Sequence, residues 1–147
     1  MTKELVYLVQ TDTTAGFLSY DDKKLAIIKQ RPQNQKILQT IDSFKTLKQN
    51  TRVPTKFKNM IRRSKNTTFI YPNKEAFRVI DKNSNHHKII KKFKKIYSTS
   101  ANKTGEEFDI NFALKSCDVV IEDKNNFNCS KSSQIVKLST TKIRFIR

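Results

Sequence analysis

The sequence predicts an α/β (α+β) fold, with a twisted mixed β-sheet and flanking helices forming a single domain over residues 1–147. Short apolar runs rich in β-forming residues alternate along the chain with segments of helical periodicity. Hairpin-like pairs of runs occur beside helical crossovers, which favours a sheet with both parallel and antiparallel strands. A chain of 147 residues has the size of one domain, and no linker or repeat interrupts it.

The first elements are predicted by an apolar run that is followed by a polar cap. Residues 4–10 contain the continuous β-forming run that is typical of a buried strand. The polar stretch 11–20 is expected to return as a second strand. Asp21 supplies a helix cap, and Pro32 disfavours helical geometry in the residue before it, so a short helix is predicted between them.

The later elements follow from the same signals. The loop at 72–75 separates two β-forming runs and predicts an antiparallel hairpin. In chain order, the sequence predicts a strand at 37–41, helices at 43–49 and 54–63, hairpin strands at 67–71 and 76–80, an amphipathic lysine-rich helix at 86–97, a strand at 96–99, a helix at 110–115, and strands at 119–122, 134–138 and 142–146.

The charge favours polyanionic partners without selecting one function. Thirty Lys and Arg residues against thirteen Asp and Glu residues give a net charge of +17. An AT-rich genome produces the same lysine-rich, glycine-poor composition whatever the function. The lysines of the helix at 86–97 therefore fit either RNA phosphates or an ordinary solvated surface.

Several classes of protein are excluded by what the sequence contains. Cys117 and Cys129 are too few for a disulfide scaffold or a zinc ribbon. His86 and His87 are adjacent, so they are expected to be a solvated pair, and neither a metal site nor a hydrolase triad is predicted. The apolar runs are too short for a membrane helix of about 20 residues or for a signal peptide, so a cytoplasmic protein without a membrane partner is expected.

The two glycines are the first indication of a binding site. Average usage of about 7% would give roughly ten glycines, so positions 16 and 105 are expected to need positive φ or a close backbone approach, with ordinary turns as the alternative. Polar side chains precede each glycine in alternation, which predicts a row of neutral hydrogen-bonding groups at the carboxyl ends of strands. These side chains are Thr11 and Thr13 before Gly16, and Ser98, Ser100 and Asn102 before Gly105.

Cationic side chains form the second indication. Arg78 lies between two apolar strand residues, which fits either a charge at the rim or a clamp for a carboxylate or phosphate. Lys29 and Arg31 end a predicted helix, where the helix dipole favours cations and also allows a purely structural role. The chain has no glycine-rich phosphate loop, so a nucleotide would have to be held by side chains.

Six motifs, in order along nearly the whole chain, resemble those of the YrdC/TsaC family of threonylcarbamoyl-AMP synthases. They are Thr11-Asp12-Thr13-x-x-Gly16, Lys29-Gln30-Arg31-Pro32, Thr68-Phe69-Ile70, Phe77-Arg78-Val79, Ser98-Thr99-Ser100-Ala101-Asn102-x-x-Gly105 and Ser132-Ser133-Gln134-Ile135-Val136. The resemblance implies a YrdC-like fold, here without the family's usual first helix, whose mixed sheet lines a positively charged cavity.

The resemblance also implies a reaction and its partners. L-threonine, bicarbonate and ATP would give threonylcarbamoyl-adenylate and pyrophosphate, for the threonylcarbamoyl modification of tRNA adenosine. ATP would be a substrate accompanied by Mg²⁺, and tRNA or double-stranded RNA and proteins of the modification pathway would be further partners. Two alternatives stay open, namely an inactive or repurposed homologue that binds nucleotide or double-stranded RNA, and an unrelated basic RNA-binding domain.

Carried over residue by residue, the resemblance assigns roles to nine side chains, which are expected to converge in one cavity. Lys29 and Arg31 would be catalytic. The ATP-binding residues would be Lys29, Arg31, Ser100, Asn102 and Arg144. The threonine-binding residues would be Thr13, Arg78, Ser98 and Ser133.

Overall fold

A computed structural model of the protein describes residues 5–32, 36–122, 127 and 133–147. Contacts between Cα atoms divide the chain into two compact units, each of which is described by itself. Unit 1 comprises Met1–Ile37 and Ile96–Ser132, and unit 2 comprises Leu38–Lys95 and Ser133–Arg147. That the chain folds as a single domain stays a prediction.

The described residues form nine strands and five α-helices. In chain order these are β1 (Tyr7–Gln10), β2 (Ala15–Ser19), α1 (Asp22–Lys29), β3 (Gln39–Ile41), α2 (Phe44–Asn50), a 3₁₀ turn (Thr55–Phe57), α3 (Lys58–Arg63), β4 (Thr67–Ile70), β5 (Ala76–Val79), α4 (Asn85–Phe93), β6 (Lys95–Ser100), α5 (Ile110–Ser116), β7 (Val119–Val120), β8 (Gln134–Leu138) and β9 (Ile143–Phe145). None of these helices has the length and apolar character needed to span a bilayer.

Unit 1 is built on a mixed sheet in which β7 pairs parallel with β1, and β1 with β2 and β2 with β6 pair antiparallel. Its apolar core includes Leu8 and Phe17 of the sheet, Leu25 of α1 and Ala113 of α5. The run that predicted the first strand is apolar on both faces because β1 is buried on both faces. Asp21 caps α1 by accepting hydrogen bonds from two backbone amides of the first turn.

In unit 2 the strands also pair in both directions, with β3 and β5 parallel, as are β4 and β8. β4 pairs antiparallel with β5, and β8 pairs antiparallel with β9. Phe69, Phe77 and Val136 extend from one face of this sheet into a core that includes Leu47 of α2 and Ile61 of α3. The opposite face of the same strands carries the polar side chains described below.

The predicted α/β class, with mixed parallel and antiparallel strand pairing and flanking helices, is confirmed. The predicted hairpin is β4 and β5, which pair antiparallel, and the strand at 134–138 is β8 with the predicted bounds. The segment after Pro54 forms a 3₁₀ turn before its helix begins at Lys58. The predictions that involve Cys129 and Ser132 concern positions outside the described residues.

Two sequence predictions about the lysine-rich segment are wrong. The helix does not continue to Tyr97, because Lys94 has a φ of 65° and the chain enters β6 at Lys95. Ile96 is therefore buried from a strand, although its spacing also fits a helix. His86 and His87 are not a solvated pair, because His86 is buried in the unit and His87 Nε2 donates a hydrogen bond to the Asp42 carbonyl at 2.9 Å.

Both glycine predictions are confirmed, each for a different physical reason. Gly105 has a φ of 81°, in the region that only glycine adopts without strain. Gly16 lies in β2 where the chain is crowded, and a Cβ there would come within 2.8 Å of Thr11 Cγ2 and 3.0 Å of the Thr99 carbonyl oxygen. The close approach of the Thr11 side chain and the Thr99 backbone, and not φ, therefore requires glycine at position 16.

We expect Gly16→Ala to lower the free energy of unfolding by about 1–3 kcal/mol, because the added methyl group overpacks this contact. Adding Thr11→Ser removes Thr11 Cγ2 and should recover part of the lost free energy of unfolding. The rest of the loss should remain, because the added methyl group still contacts the Thr99 carbonyl. Gly105→Ala should cost roughly 1 kcal/mol through its φ alone, and Thr11→Ser should not recover that cost. Urea unfolding of the four variants measures this, and an unchanged stability of Gly16→Ala would contradict the crowding.

Candidate functional site

Lys29, in the last turn of α1, joins two of the sequence motifs in unit 1. Its ammonium donates to the Ser100 carbonyl at 3.0 Å, to Ser100 Oγ at 3.1 Å and to Asn102 Oδ1 at 3.1 Å. These partners are 71 and 73 residues away along the chain. The side chain is only 2% exposed. The segments Lys29-Gln30-Arg31-Pro32 and Ser98 to Gly105 therefore form one structural feature.

The backbone of the same residue holds the following part of the turn. The Lys29 carbonyl accepts a hydrogen bond from Thr104 Oγ1 at 2.9 Å and from the Thr104 amide at 3.4 Å. Asn102 Nδ2 donates to the carbonyls of Lys103 and Glu106, at 3.0 Å and 2.6 Å. We call residues 100–106 the Ser100 turn. Thr104 has a place in this network that the sequence analysis missed, and its hydroxyl two residues after Asn102 was the available signal.

The Ser100 turn lies beside two basic side chains whose protonation is affected by burial. Burial, with a smaller effect of the like charge on Arg31, lowers the pKa of Lys29 from 10.5 to about 8. Burial also lowers the pKa of Arg31, which is half-buried. Gln30, between them, has a φ of 55° and turns the chain so that Arg31 leaves the helix. Burial makes it costly for Lys29 and Arg31 to carry their positive charges. A bound anion would offset that cost, so the two side chains are suited to binding one.

The threonines before Gly16 form a compact turn between β1 and β2. Thr11 Oγ1 lies 3.3 Å from Thr13 Oγ1 and donates to the Thr14 carbonyl at 2.6 Å. Thr13 and Ser98 are both buried. The expectation that Thr11 and Thr13 alternate along a strand is wrong, because the chain is already turning there. Ser98 and Ser100 do alternate in β6, paired with Leu18 and Gly16 of β2.

In unit 2, Arg78 lies on the sheet face that points away from the apolar core. Its neighbour Phe77 belongs to that core, so alternation directs Arg78 to the other face, where β3 places Thr40 beside it. Arg78 is only 4% exposed, which excludes the interpretation of a charge at the rim. A guanidinium in this position presents a rigid set of donors that suits a carboxylate.

A pair of hydroxyl groups lies on the same face. The register between β4 and β5 pairs Phe69 with Phe77, and its continuation sets Thr68 opposite Arg78. Thr68 Oγ1 lies 3.1 Å from Ser133 Oγ, and both residues are buried. Arg147 Nε donates to the Ser133 carbonyl at 3.0 Å. Thr68 was not predicted as a site residue, although its alternation with Phe69 and its register with Arg78 would have indicated this face.

Arg144 lies on the polar face of unit 2 but far from Arg78. It pairs with Lys137 and is therefore on the side opposite Val136, which belongs to the core. The strand order from β5 through β4 and β8 to β9 separates it from Arg78 by three strand spacings, or roughly 14 Å. Arg144 is exposed. The predicted role of Arg144 is to bind ATP and that of Arg78 is to bind threonine, and both roles stay predictions.

His86 is another buried titratable group of unit 2, and sequence analysis missed its burial. It is 2% exposed, and neither ring nitrogen has a hydrogen-bond partner within the described part of the chain. Burial lowers the pKa of His86 to about 3, and the positive charge of Arg78 adds to this effect, as does His87. The imidazole is therefore neutral beside the guanidinium.

The structure thus divides the predicted site residues between the two units and joins some of them. Thr13 and Ser98 are buried in unit 1. In unit 1 the structure joins Lys29, Ser100 and Asn102 directly, with Arg31 adjacent. In unit 2 it sets Arg78 on the same face as Ser133 and Arg144. The catalytic, ATP-binding and threonine-binding roles of the nine residues stay predictions. In the ranges that the structure describes, no three His, Cys, Asp or Glu side chains gather into a metal-binding group.

Comparison with known proteins supports the resemblance found in the motifs. A family model described as telomere recombination, covering Sua5, YciO and YrdC proteins, matches residues 4–147. No curated protein matches the sequence at a significant level.

Solved structures share the fold at low identity. The chain is similar to P. abyssi Sua5 complexed with L-threonine, with a TM-score of 0.77, 16% identity and coverage of 97% of this chain and 50% of that chain. It is similar to E. coli YciO, with a TM-score of 0.75, 16% identity and coverage of 97% and 82%. For full-length HypF in its phosphate- and nucleotide-bound form, the TM-score is 0.68, the identity is 15% and the coverage is 97% and 26%. The chain spans about half the length of the Sua5 chains that it matches.

The neutral state of His86 predicts an acid-sensitive unit 2. In the unfolded chain the imidazole titrates near the ordinary histidine pKa of 6.5, and in the folded chain near 3, so only the unfolded state gains this proton between those values. The stability that His86 contributes is therefore complete above pH 6.5 and is lost as the pH falls towards 3. Because the unfolded chain takes up one more proton, the free energy of unfolding should change by about 1.4 kcal/mol per pH unit in this range. We expect this pH dependence to be absent in His86→Gln.

Urea unfolding between pH 7 and pH 4 measures this difference. His87→Gln is the matched control. It should lower stability because it removes the bond to the Asp42 carbonyl. It should keep most of the dependence that His86 causes, because burial is the main cause of the lowered His86 pKa. Equal slopes in the wild type and His86→Gln would contradict the assignment.

Proposed function

Because the chain belongs to the Sua5/YciO/YrdC family, we propose that it is an L-threonylcarbamoyladenylate synthase that acts on L-threonine, bicarbonate and ATP. The observation that carries this proposal is the joining of two distant motifs by the three hydrogen bonds of Lys29. Those motifs are the ones that resemble the nucleotide-binding segments of the family. The L-threonine bound to Sua5 and the nucleotide bound to HypF support the two substrate classes, since both proteins share this fold.

The proposed reaction consists of an addition and a displacement. Bicarbonate takes up a proton and loses water to give carbon dioxide. The threonine amine adds to the carbon dioxide, which forms an N–C bond and releases a proton to give a carbamate. A carbamate oxygen then attacks the α-phosphorus of ATP, and the bond to the bridging oxygen of the β-phosphate breaks to release pyrophosphate. The enzyme must align two anions and offset the charge that develops on the leaving group.

The residues of each unit suit parts of this task. Arg78 has the donor geometry to bind the threonine carboxylate in a bidentate manner, with the hydroxyl pair of Thr68 and Ser133 on the same face. Thr13 and Ser98 are the further threonine-binding candidates. Arg31 would contact the phosphates and offset their charge, together with Ser100, Asn102 and Arg144.

Mg²⁺ belongs to this proposal only as the companion of ATP. Mg²⁺ is usually bound through substrate phosphates and one or two carboxylates. The described residues do not form a metal-binding group of their own. The phosphates would therefore carry the ion into the site, and none of the steps above is assigned to it. In the proposed pathway the threonylcarbamoyl group then passes from the adenylate to a tRNA adenosine in the cytoplasm, and AMP is released.

The direct test is pyrophosphate release by the purified protein in the presence of ATP and bicarbonate, with and without L-threonine. We expect release that depends on threonine. Release that is equal in both reactions, or absent from both, would contradict the proposed activity.

Arg78→Ala tests the threonine-binding role within the same assay. We expect it to raise the threonine KM roughly tenfold or more, because a charged hydrogen bond to the carboxylate is lost, while the ATP KM stays near that of the wild type. Arg78→Lys keeps the buried charge but lacks the planar guanidinium that donates two hydrogen bonds to a carboxylate, so it should also raise the threonine KM. Arg63→Ala removes an exposed arginine of α3 and is the matched control. An unchanged threonine KM in both Arg78 variants would remove this assignment.

Binding of double-stranded RNA is a second candidate function, favoured by one surface. Lys88, Lys91 and Lys92 are exposed on α4, while His86, Ile90 and Phe93 are its buried residues. Lysines three and four positions apart share one face of a helix and can contact successive phosphates. The net charge of +17 adds long-range attraction for such a partner.

Replacing these three lysines with glutamine tests the RNA-binding surface. If each contacts a phosphate, the salt dependence of duplex RNA binding should weaken by roughly 0.7–0.9 logarithmic units for each lysine. A control variant with glutamine at Lys23, Lys115 and Lys142, which are also exposed, removes the same charge elsewhere. Equal salt dependence in the two variants would show that α4 is not the binding surface.

A further inference from the structure

We propose that Lys29 is a positioning residue, whose three ammonium protons fix the Ser100 turn so that the turn loosens when the ammonium loses its proton. This differs from the catalytic role that the resemblance implies for Lys29, in which the ammonium contacts the nucleotide. The consequence for nucleotide binding rests on the proposed function, whereas the effect on the turn does not.

The hydrogen-bonding capacity of the ammonium is fully used within the chain. A protonated lysine has three donors and no acceptor. The three acceptors are the Ser100 carbonyl, Ser100 Oγ and Asn102 Oδ1, all within 3.1 Å. With 2% of the residue exposed, no proton is left to donate to a substrate unless one of these bonds breaks.

Loss of the proton would change this arrangement in a specific way. A neutral amine has two donors and one lone pair, so one of the three oxygens would face a lone pair in a buried site. An acceptor without a donor in such a place is costly. Asn102 is the less firmly held of the two partner residues, because it lies beyond the end of β6, whereas Ser100 belongs to that strand. Displacement of Asn102 would release the bonds that its Nδ2 donates to the carbonyls of Lys103 and Glu106.

The described groups that bond to the Lys29 ammonium do not include a negative charge that would stabilise its protonated form. The acceptors are neutral, and Arg31 is the described charged group that acts on the ammonium, with the same sign. Lys103 and Glu106, on the turn itself, are exposed and opposite in charge. Desolvation and the charge of Arg31 lower the pKa of Lys29 to about 8, so the turn should loosen as the pH rises through that value.

Amide hydrogen exchange of the ligand-free protein between pH 7 and pH 9.5 tests the inference. The Thr104 and Glu106 amides report on the turn, since they donate to the carbonyls of Lys29 and Lys103. After correction for base catalysis, we expect their protection to fall roughly tenfold as Lys29 deprotonates. The amide of Cys117, which ends α5 in the same unit, should not change. Titration of the Lys29 side chain by NMR gives the midpoint that the loss of protection should match.

Two variants make the result specific. Lys29→Met should show the low protection of the turn at every pH, because it has no donor. Lys24→Met removes another lysine of α1, one that pairs with Asp118 at 3.3 Å, and should keep the wild-type midpoint. Protection that stays constant through the titration of Lys29 in the wild type would overturn the inference, whether or not Lys29→Met folds.

Nucleotide binding separates this inference from the proposed function. We expect ATP affinity in the wild type to decline with the same midpoint as the protection of the turn. Loss of protection without a change in ATP affinity would support the positioning role for the turn and contradict a role of the Ser100 turn in nucleotide binding. Constant protection in a protein that releases pyrophosphate with threonine would overturn the positioning role and leave the synthase activity intact.

Discussion

In unit 1, one buried ammonium group connects the end of α1 to the Ser100 turn. Lys29 ends a helix and donates to a turn 71 and 73 residues further along the chain, so the two motifs that best identify the family share a single hydrogen-bonded junction. The positive charge of that junction is not neutralised by its acceptors, which are a carbonyl, a hydroxyl and an amide oxygen. A junction that retains its charge supplies an electrostatic attraction for anions, while its geometry is set before a ligand arrives.

Unit 2 also buries a cationic side chain, in this case on a β-sheet. A strand that alternates between core and polar residues buries Phe77 on one face and Arg78 on the other. Burial keeps the neighbouring His86 neutral by lowering its pKa, and the positive charge of Arg78 adds to this effect. The chain thus provides charged and neutral hydrogen-bonding groups from side chains, as expected of a protein that has only two glycines and no phosphate-binding loop.

Local signals predicted most of the fold and less of the site. Alternation and capping residues identified β8, the hairpin of β4 and β5, and the cap at Asp21, because these depend on a few adjacent residues. The end of α4 was misjudged because Ile96 fits both periods, and the left-handed backbone of Lys94 decides between them. The burial of His86 and the three partners of Lys29 depend on contacts between distant segments, which no local pattern contains. The family motifs supplied candidate residues there, but not the bonds between them.

The proposed activity joins threonine, a one-carbon unit and an adenylate. Mass spectrometry of the products formed from L-threonine, ATP and isotopically labelled bicarbonate tests it most directly. We predict a product that contains threonine and AMP together with the carbon label, and that is lost when threonine is omitted. A protein that binds ATP but forms no such labelled product, or forms one without threonine, would contradict the account.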